Sequence, residues 1–370
     1  MFGNKPDVHE CTCSLCQQGN YNSADYCVDM SFLKEERPVG VSGLLRVKND
    51  AEFLSDCIDS CIGALDELIV CYQDCTDNAP EIIMEKQRQY PDKIRVYYYA
   101  PPVFCHGLTD EEKKYAFSLP DTSVHKLCNY YNYTLSKASY RYAMKIDSDQ
   151  IYFAEKLQRF CDAYRKDGFV GISLGNYLAK YYALIYGVVA KICPGLIKAD
   201  LLSSIPGVRR MIMKRYEGYL LKEIVNNKYA LSLSGINLGY KCGRWGICRI
   251  AKFPFNGVDD HLIFRITENT FYTTASGFGN PIEIMKYHDS ILQGGWFWYH
   301  LQGMRECGAL SPKEWMVLTP GLKPIRTCSD WFAYYRFLWL FYWKYLQDYP
   351  DPDPILSETT KNIINRDKRC

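Results

Sequence analysis

Hydrophobic positions along the chain follow two different spacings from residue 39 onward. Phe53, Cys57 and Cys61 fall on one face of a predicted helix over 49–62, and 124–136 has a similar helical pattern. Between such segments stand short apolar runs that are typical of buried strands, at 39–47, 67–72, 94–99 and 142–146. Alternating strands and helices predict an α/β fold built on a doubly wound, mostly parallel sheet.

Polar residues stand where three of these predicted strands end. Arg46, Asp74 and Asp147 each lie at or just beyond the carboxyl end of an apolar run. Ligands of open α/β sheets bind outside the carboxyl ends of the strands. We therefore expect these three side chains to face one crevice. Asn78, followed by Pro80, is the expected N-cap of the helix after the second strand.

The rest of the chain divides into regions of different character. Residues 1–38 are polar and rich in Cys and Asn, which indicates an arm, and the pattern of 39–157 forms the first half of the main domain. Beyond residue 157 the periodicity weakens, although 169–174 resembles a strand. We predict a helical and aromatic second half over 158–346, with an insertion in its middle, and a tail over 347–370. Gly and Pro bound the segments 257–261 and 287–289, as they often bound loops that form sites.

Composition excludes some functions. Hydrophobic residues make up 48% of the chain and charged residues 23%, which is typical of a globular protein. The formal net charge is +2, whereas nucleic-acid-binding domains carry a strong basic excess. We therefore expect no nucleic-acid partner.

Membrane contact is expected at most at the surface. Lys180 and Lys191 interrupt the most apolar stretch, 178–197, so no spanning helix is predicted. The basic run 208–215 and the aromatic stretch 331–346 can instead lie on anionic lipid, or they can be helices buried against the domain. The expected location is the cytoplasm, with peripheral contact to the inner face of the membrane as an option.

Seventeen cysteines are spread through the chain, and the first ten residues are polar. This pattern favours a reducing compartment. Cys11, Cys13 and Cys16, with His9 before them and Cys27 after them, supply enough soft ligands for a structural zinc site. The alternative is a set of reduced surface thiols on a loosely ordered arm.

Asp147 and Asp149 carry the strongest chemical signal, because they directly follow an apolar strand. Mg²⁺ and Mn²⁺ in enzymes are often held by one or two carboxylates together with substrate phosphates. A metal held there would stabilise the charge that develops on a nucleoside diphosphate leaving group. His288 is a candidate third ligand, although taken alone it is more simply interpreted as a structural histidine. The adjacent carboxylates Asp259 and Asp260 are candidates for the base that deprotonates an acceptor hydroxyl, or for a solvated acidic turn.

The same residues carry a family resemblance. The chain resembles bacterial β-1,4-N-acetylgalactosaminyltransferases that build the ganglioside-mimicking outer core of lipooligosaccharide, and more broadly the inverting family 2 glycosyltransferases. The matching stretches are 45–50 (LRVKND), 72–77 (YQDCTD), 89–91 (QYP), 126–133 (KLCNYYNY) and 145–152 (KIDSDQIY), with fainter matches at 287–288 and 310–315. Gln150 departs from the pattern, since that family tends to carry His there.

The resemblance implies a GT-A fold, a UDP-sugar donor and a metal held by Asp147 and Asp149. It also implies uridine binding by residues at the ends of the first two strands and on a helix, namely Arg46, Asp74, Asp77, Asn129 and Asn132. The expected reaction is transfer of GalNAc, Gal or GlcNAc from UDP to a hydroxyl of a glycan or glycolipid, with inversion and with Mn²⁺ or Mg²⁺. The alternatives are a metal-dependent phosphodiesterase or nucleotidyltransferase, and a glycan-binding scaffold without catalysis. No Gly-rich phosphate loop for a nucleoside triphosphate is present in the sequence.

Overall fold

A computed structural model describes most of the chain and divides it into two compact units. The first unit comprises Met1–Ile58, Leu65–Ser148 and Leu262–Ser290, and the second comprises Asp59–Ala64, Asp149–His261 and Ile291–Cys370. The residues described are 11, 13–105, 107–192, 206–241, 244–248, 255–277, 279–287, 290–301, 315–317, 355–358 and 360–361. The boundaries inferred from sequence near residues 38, 157 and 346 stay predictions.

The first unit is built on parallel strands in the order β3-β2-β1-β4. They are β1 (Val41–Val47), β2 (Glu67–Tyr72), β3 (Ile94–Tyr98) and β4 (Tyr142–Ile146). All of β1 and β4 is buried, which explains their continuous apolar sequences. The last residues of β8 (Phe255–Arg265) run antiparallel to β4, and β9 (Phe271–Gly277) and β10 (Asn280–Lys286) form a hairpin. The predicted α/β class with a mostly parallel sheet is confirmed.

Helices α1 (Ser14–Gln18), α2 (Ala51–Cys61), α3 (Ala79–Gln89), α4 (Asp110–Ser118) and α5 (Leu127–Ser136) accompany these strands. Asp77 fixes two of them, because its carboxylate accepts from the amide of Ala51 at 2.8 Å and from that of Ala79 at 3.1 Å. Asn78 occupies the predicted N-cap position of α3, but its side chain makes no capping bond. Helix α4 was missed by the sequence interpretation, although Thr109 and Glu112 form a complete capping box.

The second unit contains a parallel pair and three further strands. Strand β11 (Ile291–His300) runs parallel to β6 (Ala230–Lys241) and antiparallel to β5 (Gln150–Tyr152), while β7 (Arg244–Cys248) lies between β6 and β12 (Trp315–Val317). Its helices are α6 (Ala154–Arg165), α7 (Leu174–Ile192) and α8 (Pro206–Asn227). Trp296 and Trp298 of β11 are fully buried. They fill the core of this unit.

Two expectations about local structure were wrong. Residues 169–174 form no strand up to the start of α7, and Phe169 is 84% exposed, because its apolar residues meet no partner strand. The segment 257–261 is not a loop but the first part of β8, so its glycine and adjacent acids lie within a strand. Of the described helices, none is long and apolar enough to cross a bilayer. The aromatic stretch 331–346 lies outside the described residues.

The close approach of Gly235 to Trp298 gives a test of the second unit. Added to Gly235, a Cβ would overlap the indole Nε1 atom, which donates to Asn256 Oδ1 at 2.9 Å. We expect Gly235→Ala to lower the free energy of unfolding by about 1–3 kcal/mol, since the ring must leave its position. Gly63→Ala is the matched control, because no atom lies within 4 Å of its added Cβ. Equal urea midpoints for both variants would contradict the packing described.

Candidate active site

Asp147 stands immediately after β4, as the sequence predicts, and its side chain is 39% exposed. Its Oδ1 atom lies 3.7 Å from Nη2 of Arg46, whose own side chain is only 5% exposed. The Cys57 thiol donates to the backbone carbonyl of Asp147 at 3.2 Å. The Asp147 carboxylate therefore pairs with a buried guanidinium on one side, while part of it stays accessible to solvent.

Arg46 is positioned by strand carbonyls and by one aromatic ring. Its guanidinium donates to the carbonyls of Leu44 and Ile146 at 3.2 and 3.4 Å, and its Cζ atom lies 3.7 Å from the centroid of the Tyr131 ring. Burial acts to lower the pKa of Arg46, but the phenol and carboxylate groups around it, Tyr131 and Asp147 among them, raise it above its ordinary value. Arg46 therefore stays charged.

A second buried cation lies near the same ring. Nζ of Lys145 pairs with Glu283 of β10 at 2.8 Å, and these side chains are 4% and 10% exposed. The ammonium is 5.2 Å from the centroid of Tyr131. We call Arg46, Tyr131, Lys145 and Glu283 the buried charge cluster. The cluster packs against the end of β4 and fixes the position of the Asp147 side chain.

Asp149 has a different environment, within the second unit. Its side chain is 9% exposed, and Oδ2 lies 3.5 Å from Nε2 of His300, which is 7% exposed. Nδ1 of His300 is 2.7 Å from Oδ1 of Asn237. Because an amide oxygen only accepts, the proton of the neutral ring is placed on Nδ1, and Nε2 presents its lone pair toward the carboxylate.

This arrangement fits a divalent cation. A histidine that binds metal through one ring nitrogen commonly donates from the other to an oxygen, which fixes its orientation. Asp149 and His300 supply one carboxylate oxygen and one imidazole nitrogen, a donor pair that suits Mn²⁺.

A chain of side-chain contacts leads to Asp260. Tyr152 donates to Gln150 Oε1 at 2.5 Å, and Gln150 Nε2 lies 2.8 Å from Nε2 of His261. Nδ1 of His261 is in turn 3.2 Å from Oδ2 of Asp260, whose side chain is 51% exposed. Gln150 thus holds the ring of His261, and the accessible carboxylate of Asp260 lies beside that ring. Asp259 lies in the same strand, but its side chain is outside the part of the chain that is described.

The predicted uridine-binding residues fall into two groups. Asp74 is exposed and accepts a short hydrogen bond from the Tyr98 hydroxyl, which raises the pKa of Tyr98 to about 12. Asp77, in contrast, caps helices as described above. Asn129 donates to the Tyr26 carbonyl at 3.1 Å, while Asn132 bonds both backbone groups of Tyr272, at 2.8 and 2.9 Å. Arg46 and Asp147 are brought together, and the uridine roles stay predictions.

His288 lies outside the described residues, so its predicted metal role has no structural account. His300 and Asn237 were missed by the sequence interpretation. A signal existed, because His300 ends the apolar run of β11 as Asp147 follows that of β4. Asn237 gave no signal, since only the pairing of β6 with β11 sets it opposite His300.

Comparison with known proteins assigns part of the chain to a family. Residues 17–175 match the β-1,4-N-acetylgalactosaminyltransferase (CgtA) family. This stretch contains both aspartates that follow β4 and ends at the start of α7. The family resemblance inferred from sequence is therefore confirmed for that part of the chain, and the enzyme class of the CgtA family is the predicted one. No curated protein matches the sequence.

Solved structures of two glycosyltransferases are distantly similar to this chain. One is glucosyl-3-phosphoglycerate synthase from Mycobacterium tuberculosis with Mn²⁺, UDP and glucosyl-3-phosphoglycerate, at 16% identity and a TM-score of 0.24, covering 45% of this chain and 55% of that chain. The other is S. aureus TarS 1–349, at 16% identity and a TM-score of 0.23, covering 36% of each chain. The chain thus spans about half of the synthase and about a third of TarS.

The buried charge cluster predicts an unequal effect of removing charges. Glu283→Gln leaves Lys145 buried beside Arg46 without its carboxylate, so we expect a loss of about 3–5 kcal/mol in the free energy of unfolding. Asp110→Asn removes half of an exposed pair with Lys113 and should cost about 0–1 kcal/mol. Urea denaturation followed by circular dichroism measures both. Similar losses in the two variants would show that the cluster does not stabilise the fold.

Proposed function

We propose that the protein is a glycosyltransferase that moves a sugar from a UDP-sugar to a hydroxyl of a glycan or glycolipid. One observation carries the proposal: an Asp-Ser-Asp follows the central parallel strand β4 within the stretch matched by the CgtA family, and its second aspartate faces His300. The family's description favours N-acetylgalactosamine as the sugar. UDP-galactose and UDP-N-acetylglucosamine are the competing donors.

We propose that Asp149 and His300 hold Mn²⁺ or Mg²⁺, the metal role that the sequence also assigned to Asp147. The carboxylate supplies the hard oxygen ligands that both ions prefer, and the imidazole favours Mn²⁺. A bound cation would neutralise charge on the diphosphate as it leaves the sugar. We place His300 in the role that the sequence assigned to His288, because Asn237 orients His300 toward Asp149.

Other residues act by positioning or by accepting a proton. Arg46 positions Asp147, whereas Asp74 is exposed and available to a uridine group. We propose Asp260 as the base that removes the proton of the acceptor hydroxyl, since its carboxylate is accessible and lies 3.2 Å from Nδ1 of the buried His261. Attack from the face opposite the leaving diphosphate would invert the anomeric carbon. Asp259 remains the alternative base.

Removing the metal ligands gives the decisive test. Asp149→Asn and Asp147→Asn should each lower kcat/KM by about a hundredfold or more, because a metal contributes several kcal/mol of charge stabilisation and 1.36 kcal/mol is tenfold in rate. UDP release and sugar transfer to a glycan acceptor are both measured in the presence of Mn²⁺. Asp162→Asn, the same change at a half-exposed carboxylate of α6, is the control. Full activity of both site variants would overturn the proposal.

His300→Ala and His288→Ala distinguish the two histidines. We expect only His300→Ala to weaken Mn²⁺ binding, by roughly tenfold to a hundredfold, as seen by calorimetry of the protein with UDP present. The reverse result would restore the ligand inferred from the sequence. The rival functions separate by product: a nucleotidyltransferase consumes a nucleoside triphosphate, and a glycan-binding scaffold binds sugar without metal and without releasing UDP.

We also propose peripheral contact with an anionic membrane surface. Leu174, Leu178, Tyr181 and Ile185 of α7 are 54–73% exposed, and their spacing places them along one face of the helix. The opposite face is buried, with Ala183 fully enclosed. Helix α8, which packs on α7, exposes cationic side chains at Arg210, Lys214 and Arg215. Apolar and basic groups together are the features that bind anionic bilayers.

Vesicle sedimentation tests this surface. A Leu178→Glu/Ile185→Glu variant should bind phosphatidylserine-containing vesicles about tenfold more weakly than the unchanged protein, since two apolar side chains lose their burial in lipid. Phe169→Glu is the control, because Phe169 is exposed but lies outside α7. Unchanged binding of the double variant, or equal binding to purely zwitterionic vesicles, would refute membrane contact through α7.

A further inference from the structure

Three thiols and one imidazole lie close together in the first unit, and none of them belongs to the candidate active site. They belong to Cys11, Cys13, Cys16 and His125, and their ligand atoms all lie within 4.8 Å of one another. Cys16 and His125 are buried, and the other two are partly buried. The sequence had pointed to the same cysteines with His9 and Cys27. The structure instead brings in a histidine 109 positions from Cys16.

The local chain explains how three thiols reach one point. Cys13 precedes the short helix α1, and the amide of Gln17 donates to the Cys13 carbonyl at 3.0 Å. This turn brings Cys16 back toward Cys13, with two residues between them, a spacing common in zinc sites. Cys27 donates instead to the carbonyl of Ser23 at 3.4 Å and is not part of the cluster.

His125 is oriented as a metal ligand. It is fully buried, and its Nδ1 atom lies 2.8 Å from the carbonyl oxygen of Pro102. A carbonyl only accepts, so Nδ1 carries the proton and Nε2 presents its lone pair. Nε2 is 3.2 Å from the sulphur of Cys16. A hydrogen bond from the second ring nitrogen to a backbone carbonyl is the usual support of a zinc-bound histidine.

We propose that Cys11, Cys13, Cys16 and His125 bind one structural Zn²⁺ ion. Zinc bonds of about 2.3 Å to sulphur and about 2.0 Å to nitrogen place tetrahedral ligand atoms roughly 3.5–3.8 Å apart, which requires only small movements here. Thiolates select zinc over Mn²⁺ or Mg²⁺, so this site and the carboxylate site take different metals. On binding, the thiols release their protons to solvent. Four protein ligands leave no open position, so the site is structural rather than catalytic.

The ion would tie the N-terminal arm to the rest of the first unit. His125 lies two residues before α5, the helix that carries Tyr131 of the buried charge cluster. The arm already contacts that helix, because Asn129 donates to the Tyr26 carbonyl and Tyr26 packs on Tyr133 at 5.8 Å between ring centroids. Zinc would close a loop of more than a hundred residues and so restrict the unfolded chain.

Metal analysis of the full-length protein tests the site. The protein, purified under reducing conditions and supplied with zinc, should contain one equivalent of Zn²⁺ per chain after gel filtration. Exchange with Co²⁺ should give the intense d–d bands of a tetrahedral ion and a thiolate-to-cobalt charge-transfer band. Stoichiometric zinc should be lost in Cys16→Ser and in His125→Ala, and chelation should lower the melting temperature of the unchanged protein.

Matched variants separate this site from others. Cys27→Ser, in the same arm, and Asp149→Asn, in the proposed Mn²⁺ site, should both keep one equivalent of zinc. A wild-type protein without stoichiometric zinc, or a cobalt spectrum without thiolate bands, overturns the inference, as does zinc retained by both Cys16→Ser and His125→Ala. If these two variants fail to fold, the cobalt spectrum of the unchanged protein decides. Sugar transfer is not a readout, so the test is independent of the proposed reaction.

Discussion

The burial of the Arg46 guanidinium is the constraint on which the candidate site depends. A charge that is removed from water must be compensated, and here strand carbonyls, the face of Tyr131 and the Asp147 carboxylate provide the compensation. These groups come from β1, β4 and α5. A shift of any of the three elements would expose the guanidinium to solvent or leave it buried without its partners. The ion pair between Lys145 of β4 and Glu283 of β10 also ties the β9-β10 hairpin to β4. The end of β4 is therefore rigid where Asp147 leaves it, as a ligand-binding carboxylate requires.

In the second unit, strand pairing fixes the positions of the candidate site residues. His300 stands opposite both Gln150 and Asn237 in the register of β11 with its neighbours. That register sets the amide of Asn237 against one ring nitrogen and the carboxylate of Asp149 near the other. A slip of one residue would turn His300 to the other face of the sheet. The buried tryptophans of β11 oppose such a slip, because their side chains fill the core between the strands.

The two metal sites proposed for this chain have opposite chemistry. The carboxylate of Asp149 and the imidazole of His300 match hard or borderline cations that also bind phosphate oxygens, whereas the thiols of the arm match zinc. The first group suits a reaction in which the metal touches substrate, and the second suits a closed structural site. Within the first unit, helix α5 follows His125 and carries the ring that covers Arg46.

The sequence by itself determined the α/β class, the strands of the first unit and the aspartates after β4. Parallel strands that are buried on both faces require apolar residues at successive positions, so they appear in the sequence as continuous apolar runs. It determined little of the second unit, where β8 and β11 carry mixed residues and 169–174 looked like a strand without a partner. Asn237 and His125 were decided only by tertiary structure. Each is an ordinary polar residue in its local segment. Its role arises from strand register or from contacts across a hundred residues, and local periodicity contains no information about either.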